Sequence, residues 1–194
     1  MKNPIIPAAL LAALFGANAL AQDAAGPAGV TDVKQFGSFV VRCFPVKSLS
    51  PCDMYQERSA KDTGQKVMSV SVAYVPSLSE YGIQIAVPLG ISIQKGLVIQ
   101  ASGVTTGALP YHRCDRAGCY VEMRMEKEMV DKLLHSDPDA KVKIVADNGK
   151  SYDLDFSLNG FGAAHDAMVT LAKAKATSAP PAAPDAAAPA APAK

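Results

Sequence analysis

Four cysteines in two closely spaced pairs are the feature that most limits how this 194-residue chain can fold. Cys43 is followed by Cys52, and Cys114 by Cys119, with a turn-like segment between the members of each pair. Four cysteines allow three pairings. We expect the two local disulfides, because short loops close readily in the oxidising compartments outside the cytoplasm. The cysteines therefore predict an exported domain with two short-range cross-links.

The same cysteines could instead hold a zinc ion or take part in redox chemistry. Zinc ribbons place two residues between paired cysteines, whereas this chain has eight and four. Thioredoxin-like sites need the same two-residue spacing within a strand and helix, which the sequence does not show around either pair. We predict no metal and no cofactor, with zinc as the rival interpretation.

The two ends of the chain differ in composition from its middle. Residues 1–21 predict a cleavable signal peptide, with a basic start, an apolar stretch and small residues before Gln22. Residues 22–34 are expected to form a flexible lead, residues 35–175 a single β domain, and the Ala/Pro-rich residues 176–194 a disordered tail. We interpret the tail as a spacer, with reach into the cell wall as the alternative.

Removal of the signal peptide lowers the formal charge from +1 to zero, because that segment contains Lys2 and no acidic residue. A neutral chain lacks the excess of basic residues that phosphate binding requires, so we predict no nucleic-acid partner. No later apolar run approaches the length of a membrane-spanning helix, so we predict no transmembrane span. The sequence indicates a periplasmic or secreted protein, with peripheral association with the outer membrane as an alternative, and leaves the oligomeric state open.

Alternation of apolar and polar residues with a period of two dominates residues 35–158 and predicts β-strands. The longest alternating run covers residues 65–75, and one of its faces is expected to be buried. The residues on that face are Met68, Val70, Val72 and Tyr74. Further strands are expected at residues 39–43, 81–87, 97–101, 108–113 and 119–124.

The register of the last hairpin follows from its side chains. A two-residue turn at Asn148 and Gly149 would set apolar side chains opposite acidic ones. A three-residue loop that begins at Asp147 instead gives every side chain a suitable neighbour, and Gly149 can adopt the left-handed conformation that this loop needs. The predicted pairs are Ile144 with Tyr152, Val142 with Leu154, Lys143 with Asp153, and Lys141 with Asp155.

Two helices are predicted at residues 125–135 and 161–175, where apolar residues recur at helical intervals. Many short strands with two helices are typical of a sandwich of sheets. The predicted fold class is mainly β: a single-domain antiparallel β-sandwich with two short helical additions and two local disulfides.

The residues best suited to recognition lie around the second cysteine pair, where basic and aromatic side chains run into the disulfide loop. We interpret them as a recognition surface rather than a catalytic site. This candidate surface consists of Tyr111, His112, Arg113, Arg116 and Tyr120.

Familiar catalytic motifs are missing from the chain, which has neither a Gly-x-Ser-x-Gly elbow nor a His-Glu-x-x-His pair. His135 is expected to cap a helix end, and His165 to be a partly exposed helical residue. We predict no catalytic residue and no enzyme. An unfamiliar envelope-modifying enzyme that uses His112, Arg113 and Arg116 is the alternative.

A series of short segments occurs in a recognisable order between Gln35 and Ala172. They are residues 36–43, 51–56, 70–74, 81–85 and 87–90, then Arg113-Cys114 with Gly118-Cys119, and Leu158-Asn159-Gly160-Phe161. Together they resemble the invasion-associated locus B family of exported bacterial proteins, known in some host-associated species for supporting entry into host cells. Ser38 and Phe39 stand where that family commonly has Asp and Trp, and Phe39 keeps an aromatic anchor without an indole N–H.

The resemblance implies a non-catalytic role at the cell envelope or outside the cell and provides no catalytic residues. It implies a protein that supports host-cell interaction, invasion and virulence, or a more general envelope function, by binding an unknown envelope or host protein. A periplasmic chaperone or assembly factor is the first alternative, because exposed strand edges can receive an extended client segment.

Overall fold

The computed structural model describes residues 29–45 and 48–178. Within these residues the chain forms eleven strands in two antiparallel sheets, two α-helices and a 3-10 turn at Ile93–Lys95. The predicted signal peptide, residues 22–28 of the predicted lead and residues 179–194 of the predicted tail lie outside the described residues.

The strands and helices occur in the following order along the chain. The strands are β1 (Thr31–Phe36), β2 (Phe39–Cys43), β3 (Cys52–Ser59), β4 (Lys66–Val75), β5 (Glu80–Val87), β6 (Val98–Ala101), β7 (Val104–Thr105), β8 (Arg113–Asp115), β9 (Gly118–Met125), β10 (Asp139–Val145) and β11 (Ser151–Ser157). The helices are α1 (Lys127–Leu134) and α2 (Phe161–Ser178). Seven strands form one sheet in the order β1-β2-β3-β4-β5-β9-β8, and four form the other in the order β11-β10-β6-β7. This architecture confirms the predicted mainly β sandwich with two helices.

The seven-stranded sheet buries one of its two faces. Burial alternates along β4, as the period-two pattern predicts. Inward side chains of the four-stranded sheet and of α2 belong to the same core, and the rings of Phe39 and Phe161 meet edge to face with centroids 5.6 Å apart. The predicted core face of β4 is confirmed by the burial of Met68, Val70, Val72 and Tyr74.

Polar side chains of β3 join the two sheets. The amide of Gln56 donates to the carbonyl oxygen of Ser157 at 2.8 Å and accepts from the N–H of Ser157 at 3.0 Å. Arg58 donates to the carbonyl oxygen of Asp155 at 3.1 Å. Because Asp155 and Ser157 lie on the edge strand β11, these bonds satisfy backbone groups that no strand pairs with there.

The predicted hairpin register is confirmed residue by residue. All four predicted pairs are opposite one another in β10 and β11. Beyond the strand ends, the N–H of Ala146 donates to the carbonyl oxygen of Lys150 at 2.8 Å, which closes a three-residue loop, and Gly149 adopts a φ of 81° at its end. Side-chain pairing alone was therefore enough to choose between the two possible loop lengths.

The expected strand at residues 108–113 is wrong. Within that segment Leu109 forms an isolated bridge with Leu97, and β8 begins only at Arg113. Pro110 has no N–H to donate, so the segment cannot continue as a regularly paired strand.

The alternation pattern also fails to predict β3, because this strand carries polar side chains on both of its faces.

The ordered elements extend beyond the expected bounds of the β domain. β1 begins at Thr31, inside the expected flexible lead, and its pairing with β2 is not visible in an apolar pattern because its side chains are largely exposed. α2 continues to Ser178, inside the expected tail. α1 begins at Lys127 rather than residue 125, because Glu126 has an extended backbone. The division of the chain into signal, lead, domain and tail stays a prediction.

Candidate functional site

The outer face of the seven-stranded sheet, opposite its buried face, is the candidate functional site. In the described residues both helices contribute to the core on the other side of the sheet. Along β4 and β5 the outer face carries mostly short side chains, and charged and aromatic side chains stand on the strands to either side. The central residues are Ser69, Ser71 and Ala73 on β4, and Gly82, Gln84 and Ala86 on β5.

The buried arginine cluster, which consists of Arg42, Asp53, Tyr55 and Ser71, stands on one side of this strip. Arg42 donates from Nε and Nη2 to the two carboxylate oxygens of Asp53, at 3.0 and 2.6 Å. Ser71 donates to the same carboxylate at 2.7 Å, and the Arg42 guanidinium lies 3.8 Å from the ring centroid of Tyr55. Only 17% of the Arg42 side chain and 9% of the Asp53 side chain are exposed, so this ion pair is largely removed from water.

The exposed arginine cluster, which consists of Arg113, Asp115, Tyr120 and Glu122, stands on the other side. Arg113 lies 2.7 Å from the Asp115 carboxylate and 3.3 Å from that of Glu122, with its guanidinium 3.8 Å from the ring centroid of Tyr120. The Tyr120 hydroxyl donates to Asp115 at 3.2 Å, and Gln84 donates to Glu122 at 2.8 Å. Here 44% of Arg113 and 47% of Asp115 are exposed, so the ion pair faces solvent.

The structure confirms both predicted disulfides, and each one positions an arginine cluster. Each joins cysteines directly opposite one another on neighbouring antiparallel strands, with Cα atoms 4.0 Å apart. An arginine immediately precedes the first cysteine of each pair, so the bridge holds it in register with the neighbouring strand. The bridges link Cys43 with Cys52 and Cys114 with Cys119.

The turn between β8 and β9 is fixed by two further features. The Asp115 carboxylate accepts the backbone N–H of Ala117 at 2.8 Å. Gly118 has a φ of 151°, and a Cβ at this position would clash with the carbonyl oxygen of Val87. Glycine therefore allows the turn to pack closely against the end of β5.

Each cluster contains a group with a shifted pKa. The bond from the Ala117 N–H, helped by Tyr120 and Arg113, lowers the pKa of the Asp115 carboxyl. Burial and the hydrogen bond to Glu57 raise the pKa of Tyr55 to about 12, so its phenol stays protonated and donates to Glu57 at 2.6 Å. Both groups therefore keep these roles at neutral pH.

The structure divides the predicted recognition residues among three places. Arg113 and Tyr120 are in direct contact within the exposed arginine cluster. His112 stands beside that cluster, with Nε2 4.0 Å from Glu122 and 66% of its side chain exposed.

Tyr111 and Arg116 do not join the other predicted residues. Tyr111 packs against the core, and its buried hydroxyl has no hydrogen-bond partner among the described residues. Burial raises the pKa of Tyr111 to about 12. Arg116 lies at the tip of the β8–β9 turn and lines a cleft at the ends of β4 and β5.

The other two histidines lie on the helices. His135 follows α1, and its Nδ1 lies 2.7 Å from the carbonyl oxygen of Asp131, which agrees with the expected cap. His165 is more enclosed than expected, with 13% of its side chain exposed. Its Nε2 is 2.9 Å from the Tyr81 hydroxyl, and its Nδ1 is 2.9 Å from Asp166.

The state of the four cysteines bears on the alternative interpretation, in which they hold a zinc ion. All four sulfur atoms are bonded in pairs, which removes the thiolates that zinc would need. In the part of the chain that the structure describes, no three His, Cys, Asp or Glu residues are grouped so as to hold a metal ion.

None of the helices described there has the length and apolar character needed to cross a bilayer.

The prediction of site residues missed the buried arginine cluster and the role of Glu122. A signal was present, because pairing Cys43 with Cys52 in antiparallel strands places Arg42 directly opposite Asp53. Glu122 is harder to find, since its contact with Arg113 depends on how far β9 continues beyond the disulfide.

Comparisons with known proteins agree with this architecture. Residues 40–169 match the family model described as Invasion associated locus B (IalB) protein. Invasion protein B homologs from two strains of Brucella abortus are each 27% identical over 149 residues, which cover 76% of this chain and 85% of the relative. The crystal structure of invasion associated protein B from Bartonella henselae has a TM-score of 0.61 and 22% identity, and the match covers 73% of this chain and 98% of that one.

Proposed function

This chain belongs to the invasion associated locus B family, and from that membership we propose that it is an exported, non-enzymatic protein that binds another protein. The partner belongs to the cell envelope or to a host cell, and binding supports host-cell invasion or a more general envelope function. The exposed arginine cluster is the contact surface.

The observation that carries this proposal is the way the exposed arginine cluster is held in place. Arginine and tyrosine, together with tryptophan, are enriched at the energetic centres of protein interfaces. Arg113 is restrained by Asp115, Glu122 and the ring of Tyr120 while much of it still faces solvent. Side chains that are already ordered lose less entropy on binding, so this cluster is prepared for a partner.

Export and the lack of catalysis rest on separate support. The two disulfides fit an oxidising compartment, and residues 1–21 are predicted to be a signal peptide. The names of the relatives refer to invasion and not to a reaction. His112, the best catalytic candidate, is largely exposed. Among the described residues, Glu122 is its one ion-pair neighbour.

Photo-crosslinking from a tyrosine position tests the contact surface. A photoreactive phenylalanine at Tyr120 should yield an adduct with a discrete protein in intact cells, and Arg113→Glu should remove that adduct. The matched control places the same group at Tyr152, which is 40% exposed on the other sheet, and should not yield the adduct. Equal adducts from both positions, no adduct at all, or an adduct unaffected by Arg113→Glu would contradict the proposal.

An assembly factor is the second candidate, because β8 covers only part of the outer edge of β9. The N–H of His112 donates to the carbonyl of Tyr120 at 2.7 Å, and pairing with β8 ends there. Alternate residues of a strand direct their backbone groups to the same side, so those of Glu122 and Arg124 point to this edge, where no described strand pairs with them. An extended client segment could add to the sheet here.

Two substitutions at one position separate the candidates. Arg124→Pro removes a backbone donor from the edge, whereas Arg124→Ala removes only the side chain. If client addition is the function, crosslinking from position 120 should be lost in the proline variant and kept in the alanine variant. If the exposed arginine cluster is the contact, both folded variants should keep the adduct.

A further inference from the structure

A cleft of about 290 Å³ opens where β4 begins, β5 ends and the β8–β9 turn folds against them. Its walls are largely apolar and include the side chains of Val67, Pro88 and Leu89. Leu89 is 56% exposed, so its apolar side chain faces solvent along one wall of the cleft. The cleft therefore presents an apolar surface large enough for a small ligand.

Two cations and no acidic residue line this cleft. Lys66 Nζ lies 3.6 Å from the Glu57 carboxylate, which compensates its charge. Arg116 has no ion pair or side-chain hydrogen bond among the described residues. Its neighbour Asp115 is already occupied by Arg113, Tyr120 and the Ala117 N–H. The cleft therefore carries one uncompensated positive charge.

The turn that carries Arg116 is held in position before any ligand arrives. The disulfide between Cys114 and Cys119 closes it, and Gly118 packs against the Val87 carbonyl. A guanidinium on such a turn can form charge-assisted hydrogen bonds with a carboxylate while losing little backbone entropy.

We propose that this cleft binds an apolar monocarboxylate of the medium-chain fatty-acid class. Its carboxylate contacts Arg116, and its hydrocarbon chain lies along Leu89 and the neighbouring apolar wall. A single negative charge matches the single uncompensated cation, whereas a phosphate monoester would carry more charge than the cleft balances. The cleft volume of about 290 Å³ is just below the range of ordinary ligand sites, about 300–1,000 Å³, which suits a small ligand. This site is distinct from the exposed arginine cluster.

Titration of the full mature chain with octanoate, followed by NMR, tests this proposal. Octanoate should shift the resonances of residues 65–67, 86–89 and 116–117 in a saturable way. Octanol should bind about tenfold more weakly, which corresponds to losing about 1.4 kcal/mol of charge-assisted contact. Octylammonium should bind no better than octanol. Equal binding of octanoate and octanol, or shifts confined to other residues, would overturn the proposal.

Variants assign the two ends of the ligand. Arg116→Glu should abolish the preference for octanoate over octanol, whereas Lys34→Glu, the same charge change on the opposite edge strand β1, should leave it intact. Leu89→Ser should weaken octanoate and octanol alike, because it changes only the apolar wall. Unchanged octanoate affinity in Arg116→Glu would refute the carboxylate contact.

Two further experiments identify the source of the carboxylate and separate the proposed carboxylate site from the proposed protein contact. A short peptide that ends in leucine with a free carboxylate should bind more weakly than octanoate. Tighter binding of the peptide would indicate that the natural ligand is a protein C-terminus, which would overturn the proposed ligand class. Arg113→Ala should leave octanoate binding unchanged even where it removes the crosslinked protein partner. Loss of both activities in that variant would contradict two separate sites.

Discussion

The two arginine clusters at opposite sides of one sheet are built from the same parts but differ in burial. Each has an arginine next to a cross-strand disulfide, an aspartate that binds its guanidinium, and a tyrosine ring 3.8 Å from it. In the buried cluster the ion pair of Arg42 and Asp53 is 17% and 9% exposed. In the exposed cluster that of Arg113 and Asp115 is 44% and 47% exposed.

Because the contacts are the same and the burial differs, the contacts alone do not assign a role to either cluster. Removing one member of a desolvated ion pair leaves an uncompensated charge, so the buried cluster is tied to stability. Ion pairs in solvent contribute little to stability, so the exposed cluster can change without unfolding the protein. The same local arrangement is therefore tied to stability at one side of the sheet, whereas at the other side it is our proposed contact surface.

The largest expected effect is the destabilisation caused by Asp53→Ala. The substitution leaves Arg42 with little water and no carboxylate, and should lower the free energy of unfolding by about 3 kcal/mol. Denaturant unfolding followed by circular dichroism measures it. The matched variant Asp115→Ala should shift the unfolding midpoint only slightly. Similar losses in both variants would remove the distinction between the clusters.

The second effect is the order in which the disulfides are reduced. Cys43 and Cys52 are both fully buried, whereas Cys114 is exposed. Limited reduction of the folded protein followed by alkylation should therefore label Cys114 and Cys119 first, as read by peptide mass spectrometry. Simultaneous labelling of all four cysteines below the unfolding midpoint would indicate that the buried side opens as readily as the exposed side.

The smallest expected effect is the pH dependence of the exposed cluster. The folded pKa of Asp115 lies below its ordinary value of 3.8, so its interactions stabilise the fold above that value and are lost as the pH falls through the folded pKa. Wild type should be slightly more stable than Asp115→Asn at pH 7, and the gap should close in acid. Thermal unfolding of both proteins across this range measures the gap, and a gap that widens in acid would contradict the assigned cause.

Much of the fold could be predicted because it follows from local patterns. The alternation along β4 identifies its buried face, and the charge pairs around Gly149 identify the hairpin register. β3 could not be found in this way, because Asp53 and Gln56 are buried polar residues whose partners lie elsewhere in the chain. An apolar pattern cannot show a strand that is stabilised by specific hydrogen bonds.

The candidate site could be predicted only in part, for a related reason. Arg113 and Tyr120 flank the second disulfide, and their contact follows from its cross-strand geometry. Proximity in sequence placed Arg116 with them, but the turn carries it past the end of the sheet towards Leu89. Tyr111 follows Pro110 and packs against the core, which no spacing in the sequence indicates.

We propose that the exposed arginine cluster binds the partner and that the fold does not depend on it. The most direct test measures the affinity of the crosslinked partner for Arg113→Ala and for Arg124→Ala, at matched unfolding midpoints. Arg124 is a suitable control because it lies on the same face, 2.8 Å from Glu80 and 63% exposed, outside the cluster. We predict at least about a tenfold loss of affinity for Arg113→Ala, as for an interface arginine, and none for Arg124→Ala. Equal affinities in the two variants would contradict a contact through the exposed arginine cluster.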